Sequence, residues 1–156
     1  MDSATRNTLL AQYESGYQVV LAALEGMGDA ELDRRPAQDD WTAREIVHHL
    51  ADSEMTSAIR LRRLLAEDRP LILAYNEKLF ARRLHYDRPI DSSLAALHAA
   101  RLSSAALLNC LTDDEWQREG THDESGKYGV QDWLAIYARH AHDHAEQIRR
   151  TRGATS

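Results

Sequence analysis

A long C-terminal segment without proline or glycine constrains the fold of this chain most strongly. Within residues 131–151, large or imidazole-bearing side chains recur every three or four positions, at Trp133, Tyr137, His140, His144 and Ile148. This spacing places them on one stripe of an α-helix, which completes a turn in about 3.6 residues. Such a stripe is stable when it is buried, so the segment predicts a helix packed inside a bundle.

Two further segments carry helical seams of apolar side chains. Residues 4–27 repeat apolar positions at intervals of three and four, and Gly28 is expected to end this helix. Another long helix should begin at a cap formed by one of residues 91–93 and follow its seam to Leu111. The turn-rich residues 121–130 could form a small hairpin or an ordered loop before the last helix.

The remaining long helix has a clear start signal. Thr42 and Glu45 have the spacing of a capping box, and Trp41 and Ile46 have the spacing of a hydrophobic staple. The helix should end before Pro70. The apolar seam of this helix and those of the other three long helices together predict four amphipathic helices packed around one core.

The connectors between these helices are irregular. Residues 29–40 should contain at most a short helical turn, and residues 70–89 could contain a short helix around 77–83. We therefore predict an all-α fold, a four-helix bundle with irregular connectors, in which residues 1–156 form a single domain.

Composition excludes several function classes. The formal charge is −6, with acidic and basic residues interspersed, which argues against binding to nucleic acid. Arg60, Arg62 and Arg63 form the only notable basic cluster, and a solvated helix face explains them. No apolar run approaches the ~20 residues that span a bilayer, no secretion signal is visible, and the single Cys110 cannot form an intramolecular disulfide. These features predict a cytoplasmic protein.

The histidines suggest a metal site. His140 and His144 lie one turn apart on the buried stripe of the last helix, so both can reach one ion. In the capped helix, His49 lies one turn before the seam residue Ser53, whereas His48 is turned by about 100° toward the rim. Three imidazoles leave a coordination position open, as in catalytic sites, and suit Zn²⁺, Ni²⁺, Co²⁺ or Fe²⁺.

A single buried histidine is more often a hydrogen-bonded core residue than a ligand. Three buried imidazoles without a metal would need a partner for every ring nitrogen, and each unmet nitrogen costs ~1–3 kcal/mol. The pattern therefore favours metal binding by His49, His140 and His144. His98 is the remaining histidine that could act as a fourth ligand or line a pocket.

Two stretches together resemble the DinB/YfiT-like superfamily. They are residues 41–55 (WTAREIVHHLADSEM) and residues 137–148 (YARHAHDHAEQI), and residues 66–77 add to the likeness. The closer resemblance is to the YfiT branch, also called bacillithiol S-transferases or metal-dependent hydrolases. This chain differs from that branch in having Glu54 where another histidine is common, and Gln147 where some members have histidine.

The resemblance implies a four-helix bundle that holds a divalent metal, commonly zinc or nickel, with three histidines. In the family, one ligand precedes a Leu-like residue of the second helix, which corresponds to His49. The other two form a His-x-x-x-His pair, which corresponds to His140 and His144. The residues implied by the resemblance are those that the helical phase selects.

Three functions are compatible with such a centre. The favoured hypothesis is an enzyme that activates a small thiol cofactor, of the bacillithiol type, for S-transfer to a small-molecule electrophile. The second is a hydrolase with a metal-bound water, for which Glu54 or Asp52 is a candidate base. The third is a non-catalytic metal-binding bundle.

A homodimer is also compatible with the sequence. We expect the apolar region of Leu71, Ile72, Leu73 and Phe80 to be exposed, and it could pack against a second copy.

Overall fold

The computed structural model describes residues 1–153 and confirms the four-helix bundle. The four long helices are α1 (Ser3–Leu24), α3 (Ala43–Ala66), α5 (Asp91–Leu108) and α6 (Val130–Gly153). The connectors contain α2 (Asp29–Leu32), β1 (Leu71–Ile72), α4 (Glu77–Arg83), a 3-10 turn (Glu115–Gln117), β2 (Glu119–His122) and β3 (Gly126–Gly129). Among residues 1–153, no helix combines the length and the apolar character needed to cross a membrane.

Helix α6 packs against α1 and α3, and α5 packs against the same two helices. Trp133 of α6 is fully buried, and its indole nitrogen donates a 2.8 Å hydrogen bond to the carbonyl of Ser57 on α3. Trp133, Tyr137 and Ile148 of the stripe that the sequence predicts for α6 are buried in the bundle, whereas its two histidines are partly buried.

A buried polar cluster joins α1, α3 and α5. The Arg101 guanidinium donates to one carboxylate oxygen of Glu54 at 2.6 Å, and the hydroxyl of Tyr13 donates to the other. Arg101 also donates to the carbonyl of Tyr13 and lies 4.0 Å from the centre of its ring. Glu54 is 0% exposed and Arg101 is 3% exposed, so each charge depends on the other for the solvation that it loses in the core.

The start of α3 is as predicted. The hydroxyl of Thr42 accepts from the backbone of Glu45 at 3.2 Å, and the carboxylate of Glu45 accepts from the backbone of Thr42 at 2.8 Å. Ile46 is fully buried, and Trp41 packs against the same core cluster.

By contrast, the predicted end of α1 and the predicted start of α5 are wrong. Helix α1 ends at Leu24 because Gly26 adopts a left-handed φ of 74°, while Gly28 caps α2 instead. Helix α5 has Ile90 at its cap, without a side-chain hydrogen bond. Ser93, one of the predicted caps, bonds instead to His48 at 2.8 Å.

The predicted hairpin is present and extends into a three-stranded sheet. Strands β2 and β3 pair antiparallel, and the sequence did not predict that β1 pairs parallel to β2. This pairing buries Ile72 completely, whereas Leu71 and Leu73 are 52% and 57% exposed. Ile72 is therefore unavailable for contact with a second copy, contrary to the prediction for this region.

Gly16 of α1 provides the space that the buried cluster needs. A Cβ at this position would lie 2.6 Å from a terminal nitrogen of Arg101 and 2.9 Å from the Cβ of Ala141. Overpacking should outweigh the better helix propensity of alanine, so we expect Gly16→Ala to lower the free energy of unfolding by roughly 1–2 kcal/mol. Urea denaturation measures the change. Gly153→Ala, with nothing within 4 Å of the new Cβ, should change stability by less than about 0.5 kcal/mol, and equal effects of the two substitutions would contradict the prediction.

Candidate metal centre

The structure brings together the three histidines that the sequence selects. One ring nitrogen from each of His49, His140 and His144 lies within 4.8 Å of the others. The Nε2 atoms of His49 and His140 are 3.4 Å apart, and the ring centroids of the three imidazoles are separated by 4.7–5.3 Å. His49 comes from the second turn of α3, and the other two come from successive turns of α6.

Burial keeps these imidazoles neutral. Burial first, with a smaller contribution from the neighbouring imidazoles, lowers the pKa of His49 to about 3 and that of His140 to about 2. Burial also holds the pKa of His144 below its ordinary value. A neutral imidazole has one nitrogen lone pair available to a cation, so the cluster presents three potential ligands at neutral pH.

The hydrogen bonds around the cluster orient one ligand. The Nδ1–H of His144 donates to the side-chain oxygen of Gln147 at 2.8 Å, which leaves the Nε2 lone pair of His144 free. Gln147, one of the positions that depart from the family pattern, thus supports a ligand position. Nδ1 of His140 is buried and has no hydrogen-bond partner among residues 1–153.

The donor set fits a divalent transition metal. Two nitrogens bound at 2.0–2.1 Å to one tetrahedral ion are separated by about 3.3 Å, and the Nε2 atoms of His49 and His140 are separated by 3.4 Å. Without a cation, these two nitrogens would face each other at a distance too long for a good hydrogen bond. Three neutral imidazoles are a donor set that zinc and nickel both accept.

Trp41 forms one wall of the centre, which the sequence did not reveal. Its ring centroid lies 4.6 Å from that of His49 and 6.4 Å from that of His144, nearly parallel to the latter. The sequence assigned Trp41 only to the hydrophobic staple. The sequence did contain one signal for this role: Trp41 lies just before a helix whose second turn carries a candidate ligand. The indole packs against two of the three imidazoles.

The other candidate histidines have separate roles. His48 lies between the hydroxyl of Ser93 at 2.8 Å and the carbonyl of Arg88 at 3.0 Å, so it holds α3 against the start of α5. His98 stacks on Tyr17 with ring centroids 4.1 Å apart. Both histidines are outside the cluster of three.

The two candidate carboxylates are already engaged. Glu54 accepts from Arg101 and Tyr13, and Asp52 accepts a 2.7 Å hydrogen bond from the hydroxyl of Tyr86. Burial raises the pKa of Glu54, and the nearby Arg101 opposes this rise. These contacts give both carboxylates structural partners, and the three-histidine cluster includes neither of them.

Comparisons with known proteins agree with the fold and identify its family. A model of the DinB superfamily matches residues 12–148. YfiT from Bacillus subtilis is 36% identical over 129 residues, which cover 81% of this chain and 72% of YfiT. A relative from Oceanobacillus iheyensis is 34% identical over 122 residues, which cover 78% of this chain and 71% of that protein. Both are provisionally named metal-dependent hydrolases. The solved structure of Bacillus subtilis YfiT, described as a four-helix bundle of unusual topology, superposes with a TM-score of 0.90 at 29% identity and covers 99% of this chain and 91% of YfiT. The chain therefore belongs to the DinB superfamily and is similar to its YfiT-like members.

Proposed function

We propose that this protein is a metal-dependent enzyme in which His49, His140 and His144 hold a divalent cation, zinc or nickel. The observation that carries the proposal is the convergence of three neutral imidazole nitrogens within 4.8 Å. The provisional naming of the relatives as metal-dependent hydrolases supports both a metal and a small-molecule substrate.

The reaction that we favour is transfer of a small thiol, of the bacillithiol type, to an electrophile. When bound, the cation supplies Lewis acidity, which stabilises a thiolate over its thiol or a hydroxide over water. His49, His140 and His144 would hold it, and Gln147 fixes the tautomer of His144. Trp41 packs against His49, and an apolar ring beside a charged centre strengthens electrostatic interactions there.

The state of the carboxylates supports thiol transfer over hydrolysis. A thiol needs no strong base once a cation lowers its pKa, whereas water attack on an ester or amide benefits from a carboxylate base. Glu54 and Asp52 are both engaged with donors from other helices or loops. Hydrolysis is the second candidate, since the names of the relatives favour it.

Thiol-dependent turnover by the metal-loaded protein is the expected result. The assay offers glutathione, bacillithiol and mycothiol with a model electrophile, and, without thiol, a panel of esters and amides. We expect conjugation in the first arm and a loss of at least about 100-fold in His140→Ala, because a ligand should matter at least as much as the groups that orient it. His142→Gln is the matched control, since His142 faces the carbonyl of Gln12 on α1.

The two arms separate the candidate functions. Turnover of esters or amides alone would select hydrolysis, and a lack of turnover in both arms would leave a non-catalytic metal-binding bundle. Full activity in His140→Ala would overturn the assignment of the centre itself.

A further inference from the structure

A cleft of about 660 Å³ is formed by the segment that leads into α3 and by helix α4. The lining includes Arg35, Trp41 and Glu45 from the first of these, and Lys78 and Arg82 from α4. We call it the Trp41 cleft. Its volume is within the range of about 300–1,000 Å³ that is usual for small-molecule sites, so it has room for a ligand.

The Trp41 cleft adjoins the candidate metal centre. Trp41 lines the cleft, and the centroid of its ring lies 4.6 Å from that of His49 and 6.4 Å from that of His144. Glu45, which also lines the cleft, lies one turn before His49 on α3. The cleft and the centre therefore share Trp41 and the first turns of α3 as a common wall.

The charges that line the Trp41 cleft are positive in excess, although the whole chain has a formal charge of −6. Arg35 donates to the carboxylate of Glu45 at 2.7 Å, so these two charges compensate each other. The remaining charges of the lining are those of Lys78, Arg82 and Asp39. The cleft is thus a local site of positive potential, which favours an anion.

Lys78 and Arg82 are placed to act together. They lie one turn apart on α4, and both line the cleft. Both side chains are exposed, and neither has a carboxylate within 4.0 Å among residues 1–153. Their N–H groups are therefore available to a ligand.

A second recess, of about 320 Å³, limits where an anion would bind. It shares Arg82 with the Trp41 cleft, but its lining includes Asp33 and Asp87 and does not include Trp41. Asp33 is held by Arg44 at 2.6 Å. Acidic side chains outnumber Lys and Arg in this recess, so the side of Arg82 that faces Trp41 is the better place for an anion.

We propose that the Trp41 cleft binds the anionic group of the substrate through Lys78 and Arg82 and holds the rest of that molecule against Trp41, beside the three histidines. An ammonium and a guanidinium both bind the oxygens of a carboxylate or a phosphate, and the indole offers an apolar face to the carbon skeleton. The substrate class is a small anionic thiol or a small anionic electrophile. The position beside the histidines rests on the proposed function, whereas anion binding by Lys78 and Arg82 does not.

Quenching of tryptophan emission by ions tests the charge of the cleft in metal-free protein. Trp41 is half-buried, whereas Trp116 and Trp133 are 3% and 0% exposed, so external quenchers reach mainly Trp41. At about 0.1 M ionic strength, charges more than ~10 Å away are screened. We expect the double variant Lys78→Gln with Arg82→Gln to lower the ratio of iodide to caesium quenching at least about 2-fold, while quenching by neutral acrylamide stays the same.

Competing anions test whether the cleft is a binding site. Propionate and inorganic phosphate are titrated at constant ionic strength, and we expect at least one of them to protect Trp41 from iodide. Loss of two exposed ion pairs should raise the concentration needed for half-protection at least about 5-fold in the double variant. Stronger protection by propionate assigns a carboxylate, and stronger protection by phosphate assigns a phosphate. Arg83→Gln is the matched control, because Arg83 is also an exposed residue of α4 but is outside the lining of the cleft.

Calorimetric titration of zinc-loaded protein with thiols tests the link to the centre. We expect 3-mercaptopropionate to bind at least about 5-fold more tightly than 1-propanethiol, and this preference to disappear in the double variant but not in Arg83→Gln. An unchanged ratio of iodide to caesium quenching in the double variant, or no protection by either anion, would overturn the cleft even if thiol transfer is found. Protection of metal-free protein without a preference between the two thiols would keep the anion site and overturn its link to the three histidines.

Discussion

Replacing Arg101 by methionine should destabilise the protein by about 3–5 kcal/mol at neutral pH, because the change leaves a buried carboxylate without its counter-charge. Glu54 is 0% exposed and would keep neutral donors such as the hydroxyl of Tyr13 but no counter-charge among residues 1–153. The methylene groups of methionine fill part of the vacated volume, so the loss reflects mainly the unpaired charge. Urea denaturation at about pH 7.5 measures the change in the free energy of unfolding.

The loss of stability in Arg101→Met should depend on pH in a defined direction. Burial raises the pKa of Glu54 above its ordinary value of 4.5, while Arg101 opposes the rise. A carboxyl group with a raised pKa in the folded state favours folding below its unfolded pKa, and this contribution is lost as the pH rises through the folded pKa. Removal of Arg101 raises the folded pKa further. We therefore expect the difference from wild type to be small below about pH 4.5 and to grow toward neutral pH.

Two variants isolate the effect of the buried charge. The double variant Glu54→Gln with Arg101→Met should recover much of the lost stability, because no unpaired charge then remains in the core. Arg62→Met should cost less than about 1 kcal/mol, since Arg62 bonds to the hydroxyl of Ser103 and to no carboxylate among residues 1–153. A loss in Arg101→Met that is below 1 kcal/mol, or that does not change with pH, would contradict this account.

Features fixed by local spacing could be predicted from the sequence. The phase of the α3 seam separates His49 from its neighbour His48, and the structure places His49 in the cluster. The i, i+4 spacing of His140 and His144 predicted that both side chains reach one site, provided that this stripe of their helix faces the bundle. The capping box at the start of α3 is similarly local, so it also followed from the residues themselves.

Features that depend on distant partners could not be predicted. Leu71 pairs with Thr121, fifty positions away, and no local pattern specifies this partner. Arg60 looked like a solvated charge until Tyr137 and the carbonyl of Leu73 were seen to bind it. Ser93 was a plausible cap for α5, but a hydrogen bond from another helix, at His48, takes its side chain.

Loading with Zn²⁺ or Ni²⁺ should raise the melting temperature of the wild type by roughly 5–10 °C. A ligand at 100 times its dissociation constant stabilises the folded state by about 2.7 kcal/mol, and a domain of this size shifts by about 2–4 °C per kcal/mol. The rise should disappear in His49→Ala and His144→Ala, because two imidazoles with a vacant third position bind a metal far more weakly. Differential scanning calorimetry with and without metal measures the shift.

Trp41 offers a second readout that reports where the metal binds. Its ring lies 4.6 Å from His49, so Ni²⁺, with its partly filled d shell, should quench the indole emission on binding at the three histidines. In Trp41→Phe the melting shift should remain while most of the quenching is lost, since Trp116 and Trp133 do not contact these imidazoles within ring-stacking distance. His142→Gln should retain both signals, because His142 is outside the cluster although it lies between the two ligand positions on α6. If the melting shift survives in His144→Ala, or if quenching persists in Trp41→Phe, the metal binds elsewhere and the three histidines do not hold it.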